Sequence, residues 1–526
     1  MKYIDLPYDL ILVIGSHLMI DEYLRLCLAC SAFPMQLPVQ LSWDNYLKSY
    51  EKFNEISLPA MTVSLDSINR MRLELLLSHN NFDLLNRLLI NGRLSPNFKH
   101  ILFQKSCKYG VVDIVLKLLG DIDIDPSVNY NYSITFATIR GHANIIKLLL
   151  TDSRVDPSNN SNMPIQFASR FGHLNCLEVL LGDDRVDPGD VNNEPIRNAA
   201  KYGHEKCLKR LLQEGLVDPS DMNNQAIVSA AKYGHDKCLE LLMADNRVNP
   251  AVDDNLPIKY AAKRGHIKCL QMLLMDPRVD PCAASNQALI NASRKGHVDC
   301  MKLLLDDPRT NPADMQNYAI RGASRYGHYE CVKILLDDPR VDPGDYGNEA
   351  VQRASSNGHL EIVQLLLSDE RVNPTDCRNE TIRMTVKHGQ IECLKFLLKN
   401  KAINPAINRN ELIQSAARDG NHECVQILIN DPRVDPSDCN NLAIRFAAEN
   451  GHMKCIQILL ADPRVDPSDR KNYAIRYASK NGHYSCIELM LSDPRVDPMA
   501  ENMEALKSCK ENHHLDCLEL LCSRIK

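Results

Sequence analysis

Apolar and polar positions along this chain recur with one fixed period. Ile196, Ala199 and Ala200 are apolar at i, i+3 and i+4, the spacing of one helix face. Alanine keeps that face thin, so neighbouring helices can approach closely. Gly203 then predicts the helix end, because glycine accepts the left-handed backbone of a C-cap. A second helix follows in every unit. In His452–Leu460, Cys455, Ile456, Leu459 and Leu460 form a broad apolar stripe. Asp462-Pro463 stops it, since proline lacks an N–H and restrains the residue before it. Arg464, Val465, Asp466 and Pro467 predict an extended crossing to the next unit.

The glycine recurs at one constant step, from Gly110 through Gly141 and Gly172 to Gly482, and the next step lands on His513. A proline recurs from Pro126 to Pro498 at the same step. This gives fourteen units in strict register, with a degenerate one before them around Leu73 to Leu89. Two short helices cannot bury both apolar faces alone, whereas stacked copies bury them against each other. The predicted fold is an all-α helical repeat solenoid over 71–526, preceded by a linker or capping region over 46–70 and a separate helical segment over 1–45.

Asn441 to His452, with Ile444 and Ala447 at their places, resembles the first helix of the ankyrin repeat. Cys455 to Leu460 resembles its second helix, and Val465-Asp466 its finger. The resemblance runs from about Leu73 to the C-terminus. It implies an ankyrin-type solenoid that binds a protein target in a concave groove. The unit is shorter than the family's period of about 33, which implies a plain turn where the family has a finger hairpin. The family's turn histidine is replaced by Arg197, Lys259 or Gln414, leaving its hydrogen bonds without their usual donor. The recurrent asparagine, as in Asn193, Asn224 and Asn255, reads either as a helix N-cap or as a left-handed turn residue.

Residues 1 to about 45 do not follow the repeat. Leu10, Ile14 and Leu18 lie at i, i+4 and i+8 behind Leu6-Pro7, and proline suits a first helical turn. With Asp21, Leu24, Arg25, Cys30, Phe33 and Trp43, this segment resembles an F-box. The resemblance implies docking of Leu6, Pro7, Leu10, Ile14, Leu18 and Leu24 to the Skp-type adaptor of a cullin-RING ubiquitin ligase, with the repeat groove holding the substrate. The alternative is a helical cap that shields the first unit of a plain scaffold, since terminal repeats need a polar outer cover.

Composition narrows the function. Of 526 residues, 44% are apolar and 24% charged, and the net charge of -6 argues against nucleic acid as a partner. Met1 to Leu6 is not a basic region leading into a long apolar run, as a secretory leader would be. The most apolar stretch, Leu10 to Ile20, falls well short of the ~20 residues that span a bilayer. A soluble intracellular protein, cytoplasmic or nuclear and away from membranes, is expected. Nucleophile elbow, phosphate loop and metalloprotease helix are all missing. The chain therefore reads as non-enzymatic and without a cofactor.

The chain has 19 cysteines. Eleven occupy one position of the second helix, from Cys176 to Cys517. His173 and Cys176 have the spacing of a metal pair, but Ile114, Ile145 and Ile362 stand at the same position in other units. A cysteine that exchanges with isoleucine is a small buried hydrophobe. Stacked helices lie ~8–10 Å apart, too far for a disulfide, whose Cα atoms want about 4.4–6.8 Å. Free, reduced thiols are expected.

The polar side of the first helix carries two basic sets. One lies two residues before the glycine, as in Lys201, Lys232, Lys263 and Arg325. The other lies four residues earlier, as in Arg197 and Arg321. Arg197 and Lys201 are i, i+4 and share a face. Phe167, Tyr260, Phe446 and Tyr477 vary beside them, and Tyr202, Tyr233 and Tyr326 follow one position after the basic set. Variable, partly aromatic side chains on a regular frame are the pattern of a recognition surface. Two readings of the cations stay open: neutralisation of finger aspartates such as Asp342, Asp435 and Asp466, or a groove for an acidic partner. Around Gly389 and Gly420 the histidine is lost (Gln390, Asn421), and Lys399 to Pro405 replaces the usual crossing, which predicts a weaker interface there.

Overall fold

In the computed structural model the residues described are 96–525. They form 28 helices, paired into fourteen units. Among the described residues there is no strand. The F-box-like segment and the degenerate first unit lie outside the described residues.

The unit of Gly203 is representative. Its first helix spans Asp190–Tyr202 and its second Glu205–Leu211. Ile196, Ala199, Ala200, Cys207, Leu208 and Leu211 are buried, and the same positions are buried in every described unit but the last, where Lys510 is exposed and Leu506 and Leu518 are half-buried. One continuous core therefore runs the length of the described chain. The crossing expected to be extended is instead two tight turns. Val248 N–H donates to Asp245 O at 3.0 Å, and the valine side chain plugs the core between the turns.

From Val128 onward, each first helix carries three consecutive left-handed residues near its start. In the Gly203 unit they are Val191, Asn192 and Asn193, at φ of 52°, 55° and 56°. Left-handed backbone costs roughly 1–2 kcal/mol per ordinary residue, and least for asparagine. The asparagine is thus a left-handed turn residue rather than an N-cap. Its side chain is buried and points across to the following unit. Oδ1 accepts the N–H of the residue 25 positions on in eleven of the twelve units with asparagine there. In seven units Nδ2 also donates to an aspartate 28 positions on.

Two further ties join neighbours. The histidine before most second helices contacts a carbonyl 34 residues back, as from His235 Nε2 to Lys201 O at 3.0 Å. That carbonyl is one that the helix end leaves without an internal donor. The arginine of the crossing reaches back 30 residues, as from Arg247 Nη1 to Val217 O at 2.8 Å. It also forks onto its own turn's aspartate, Asp245.

First helices pack against one another more extensively than second helices do. The outward side of the first helices forms one continuous wall of the array.

At Lys399–Pro405 the asparagine and arginine ties fail together. Ala402 stands where the arginine should be, and Ile407 where the aspartate should be. Asn379 Oδ1 is buried without a partner. The flanking first helices, Asp376–Lys387 and Ile407–Asp419, pack less extensively than any other adjacent pair described. The histidine's bond survives in substitute form: Gln390 Nε2 donates to Ser356 O at 3.2 Å, and Asn421 Nδ2 to Lys387 O at 3.1 Å.

Candidate protein-binding surface

The candidate surface is the outward side of the first helices, and its two basic sets behave differently. The earlier set turns inward. Arg197 donates from Nε to Asn192 O at 2.9 Å and from Nη2 to Val191 O at 3.0 Å. Gln414 donates to Arg409 O at 2.6 Å. Arg321 is only 6% exposed and bonds both Met315 O and Glu349 of the next unit. Arg321 and Arg197 thus supply the turn hydrogen bonds that the missing histidine left without a donor. They were expected to meet a partner, but much of their hydrogen-bonding capacity is taken by the fold.

The later set faces outward. Lys201, Lys263 and Arg325 are exposed, and Lys232 is half-buried. Tyr202, Tyr233 and Tyr326 are exposed beside them. Lys201 Nζ lies 5.2 Å from the Tyr202 ring centroid, and Lys232 lies 5.0 Å from that of Tyr260 in the next unit. Arg294 lies 5.4 Å from Tyr326 and donates to its hydroxyl at 3.1 Å. That guanidinium holds the Tyr326 phenol below its usual range. A cation over an aromatic face is attracted by the ring quadrupole, so these side chains are held in place.

Phe167, Tyr260, Phe446 and Tyr477 are half-buried on the same wall. Phe167 stacks on Phe171 with centroids 6.0 Å apart, and Tyr477 on Tyr473 at 3.9 Å. Burial, with the Tyr477 hydrogen bond second, pushes Tyr473 up to about 12. The wall is thus brought together by the fold, with its members on successive first helices.

The finger aspartates are not neutralised by this wall. Asp342 and Asp435 accept from the backbone N–H of Gly344 and Ser437 in their own turns, and Asp466 from that of Ser468. The arginines of the crossings pair with the preceding aspartates, as Arg185 with Asp183 at 2.7 Å. Those arginines hold the carboxyls well below the usual range.

Sequence reasoning missed Arg140, Arg264 and Lys295, which sit immediately before their glycines. The signal was present: from Tyr109 to Tyr326 that position is aromatic or basic in every unit. It also missed the purpose of the histidine. A Cβ on Gly203 would lie 2.5 Å from His235 Nδ1. The glycine is needed for the next unit's imidazole as well as for its own φ of 76°.

The seventeen described cysteines are free. Burial pushes the stacked thiols up, Cys176 and Cys207 to about 11 and Cys238 to about 12. Among the described residues no three His, Cys, Asp or Glu side chains gather as a metal site, and no helix is long and apolar enough to cross a membrane.

The family model described as "Ankyrin repeats (3 copies)" matches residues 73–192, 167–254, 245–316, 289–376, 382–471 and 444–526. No curated protein matches the sequence. Among solved structures, the human ASB11 ankyrin repeat domain is similar over 36% of this chain and 95% of its own length. Identity there is 19% and the TM-score 0.29.

Proposed function

Because the chain belongs to the ankyrin-repeat proteins, we propose that it is a non-catalytic protein-recruiting module whose first-helix wall holds a protein target. One observation carries this: on a frame pinned by repeated inter-unit hydrogen bonds, the wall's exposed side chains vary from unit to unit. A rigid frame with variable aromatic and basic side chains is how a specific protein surface is presented.

The finer reading is a substrate-recruiting adaptor of an SCF-type ubiquitin ligase. It rests on the F-box-like sequence of Leu6, Pro7, Leu10, Ile14, Leu18 and Leu24. In this reading that segment docks the Skp-type adaptor while the wall holds the substrate. The competing reading is an ankyrin scaffold whose N-terminus is a cap.

Co-purification from a eukaryotic lysate separates them. The full-length chain is expected to bring down the Skp-type adaptor and a cullin, and the Leu6→Ala, Pro7→Ala double variant to lose both. Retention by the variant, or absence from the full-length chain, sinks the ligase reading.

A further inference from the structure

The cations of the wall are not evenly spread. In the eight units from Gly110 to Gly327, the two residues before each glycine supply ten cations and no carboxylate. In the six units after them, the same positions supply three cations and three carboxylates. None of the nine cations from Arg140 to Arg325 at these positions has a carboxylate within 4 Å. The nearby Asp236 is engaged by Lys268 at 3.6 Å. Downstream, Arg418 pairs with Asp419, and at the earlier position of the same helix faces ion pairs occur on both sides, Lys259 with Asp254 and Arg321 with Glu349 upstream and Arg383 with Glu380 and Glu411 downstream.

A row of like charges repels itself unless counter-charges arrive. Here the row is held open by its aromatics instead. Arg170 lies 5.4 Å from Tyr202 of the next unit, and Lys232 5.5 Å from Tyr233. Pinned cations lose little side-chain freedom when an anion docks, which favours binding.

We propose that the strip from Arg140 to Tyr326 docks an extended, aspartate- and glutamate-rich segment of a partner protein. This rests on the protein-recruiting reading above and names the chemistry of its target. Units repeat every ~8–10 Å and an extended chain advances ~3.3–3.6 Å per residue, so about three partner residues pass each unit. Nine cations over seven units then match roughly one acid in every two or three partner residues. A single nucleic-acid strand, with a charge every ~3.4 Å, is too dense for this strip. The aromatics Phe171, Tyr202 and Tyr233 alternate with the cations and offer apolar contact to the partner's intervening residues.

The test uses the full-length chain and two probes of equal charge. One is a peptide of about 20 residues in which glutamate alternates with serine, the length that ~3.3–3.6 Å per residue requires to cross the strip. The other is a single-stranded oligothymidylate. The alternating peptide is expected to bind more tightly than the oligothymidylate. Lys201→Glu, Lys232→Glu and Lys263→Glu together should weaken the peptide at least tenfold. Lys387→Glu with Lys480→Glu, on the balanced units, should leave it within twofold. Circular dichroism melts of both variants should overlay the parent. No binding of the alternating peptide, equal loss with the control pair, or tighter binding of the oligothymidylate each overturns the proposal. If lysate proteins captured by the wall stay bound to the triple variant, the recruiting reading stands and the acidic-segment proposal falls. If the parent captures none, the recruiting reading itself fails.

Discussion

Asn193 holds two groups of the next unit at once: its Nδ2 donates to Asp221 Oδ2 at 2.9 Å, and its Oδ1 accepts from Asp218 N–H at 2.7 Å. It does so from a left-handed backbone at φ 56°. Asn193→Ala loses both bonds, leaves the Asp218 N–H without its partner and puts a poor residue in that conformation. The expected cost is about 2–3 kcal/mol, read as a drop in urea midpoint. Asn193→Gly should cost less, because the backbone stays at ease. Equal midpoints for Asn193→Ala and the parent would show that the tie contributes nothing.

Gly203 and His235 should be energetically coupled. Gly203→Ala meets both the φ penalty and the imidazole, with an expected cost of about 2 kcal/mol or more. In a His235→Ala background only the φ penalty of about 1 kcal/mol should remain. A double-mutant cycle on thermal stability reads the difference. Strict additivity would disprove contact between the two.

The junction at Lys399–Pro405 should open before its neighbours. Amides of residues 388–410 are expected to exchange with deuterium faster than their equivalents one unit earlier. Asn400→Asp with Ala402→Arg restores the arginine tie found in ten other crossings. It should raise stability by about 1 kcal/mol and slow that exchange. Uniform protection along the parent array would refute the weak junction.

Stability should fall as pH drops below about 6.5. Burial is the largest cause holding His142, His266 and His328 below their ordinary value of 6.5. The unfolded chain therefore takes up protons first. Stability from these groups is complete above 6.5 and is lost as pH falls through their lower folded values. Paired carboxylates such as Asp183 and Asp276 titrate below 3.8 in the folded state and contribute little slope in that window. Replacing the three histidines with asparagine, as nature does at Asn421, should flatten the urea-midpoint profile between pH 5 and 7. An unchanged slope would contradict the assignment.

Thiol accessibility should divide the cysteines. Cys377 and Cys522 are exposed, whereas the stacked set from Cys176 to Cys517 is buried with raised pKa values. A disulfide reagent at neutral pH is expected to label Cys377 and Cys522 within minutes, and the stacked thiols only on unfolding. Rapid native labelling of Cys238 would overturn this.

Much of the architecture was legible because it is local. Ile196, Ala199, Ala200 and Gly203 lie within one helix and its cap, so a helical periodicity exposes them. What escaped depends on partners a whole unit away along the chain. The asparagine's role could not be chosen while Asp218 and Asp221 were unknown as its partners. Arg197 and Lys201 looked alike as neighbours on one helix face, yet one folds back onto its own turn and the other reaches solvent. That difference comes from three left-handed residues whose free carbonyls no periodicity reveals.

The constant period has a mechanical corollary. Every tie between units runs at a fixed offset, forward for the asparagine and backward for the histidine and the crossing arginine. The array therefore has a direction and a pitch, like a toothed rule. Excising one whole unit closes the rule by one tooth without mismatching its joints. Excising a single residue fewer breaks every bond across the cut. Recognition length can then be changed in whole teeth alone, each shifting the register of a bound strand by ~8–10 Å.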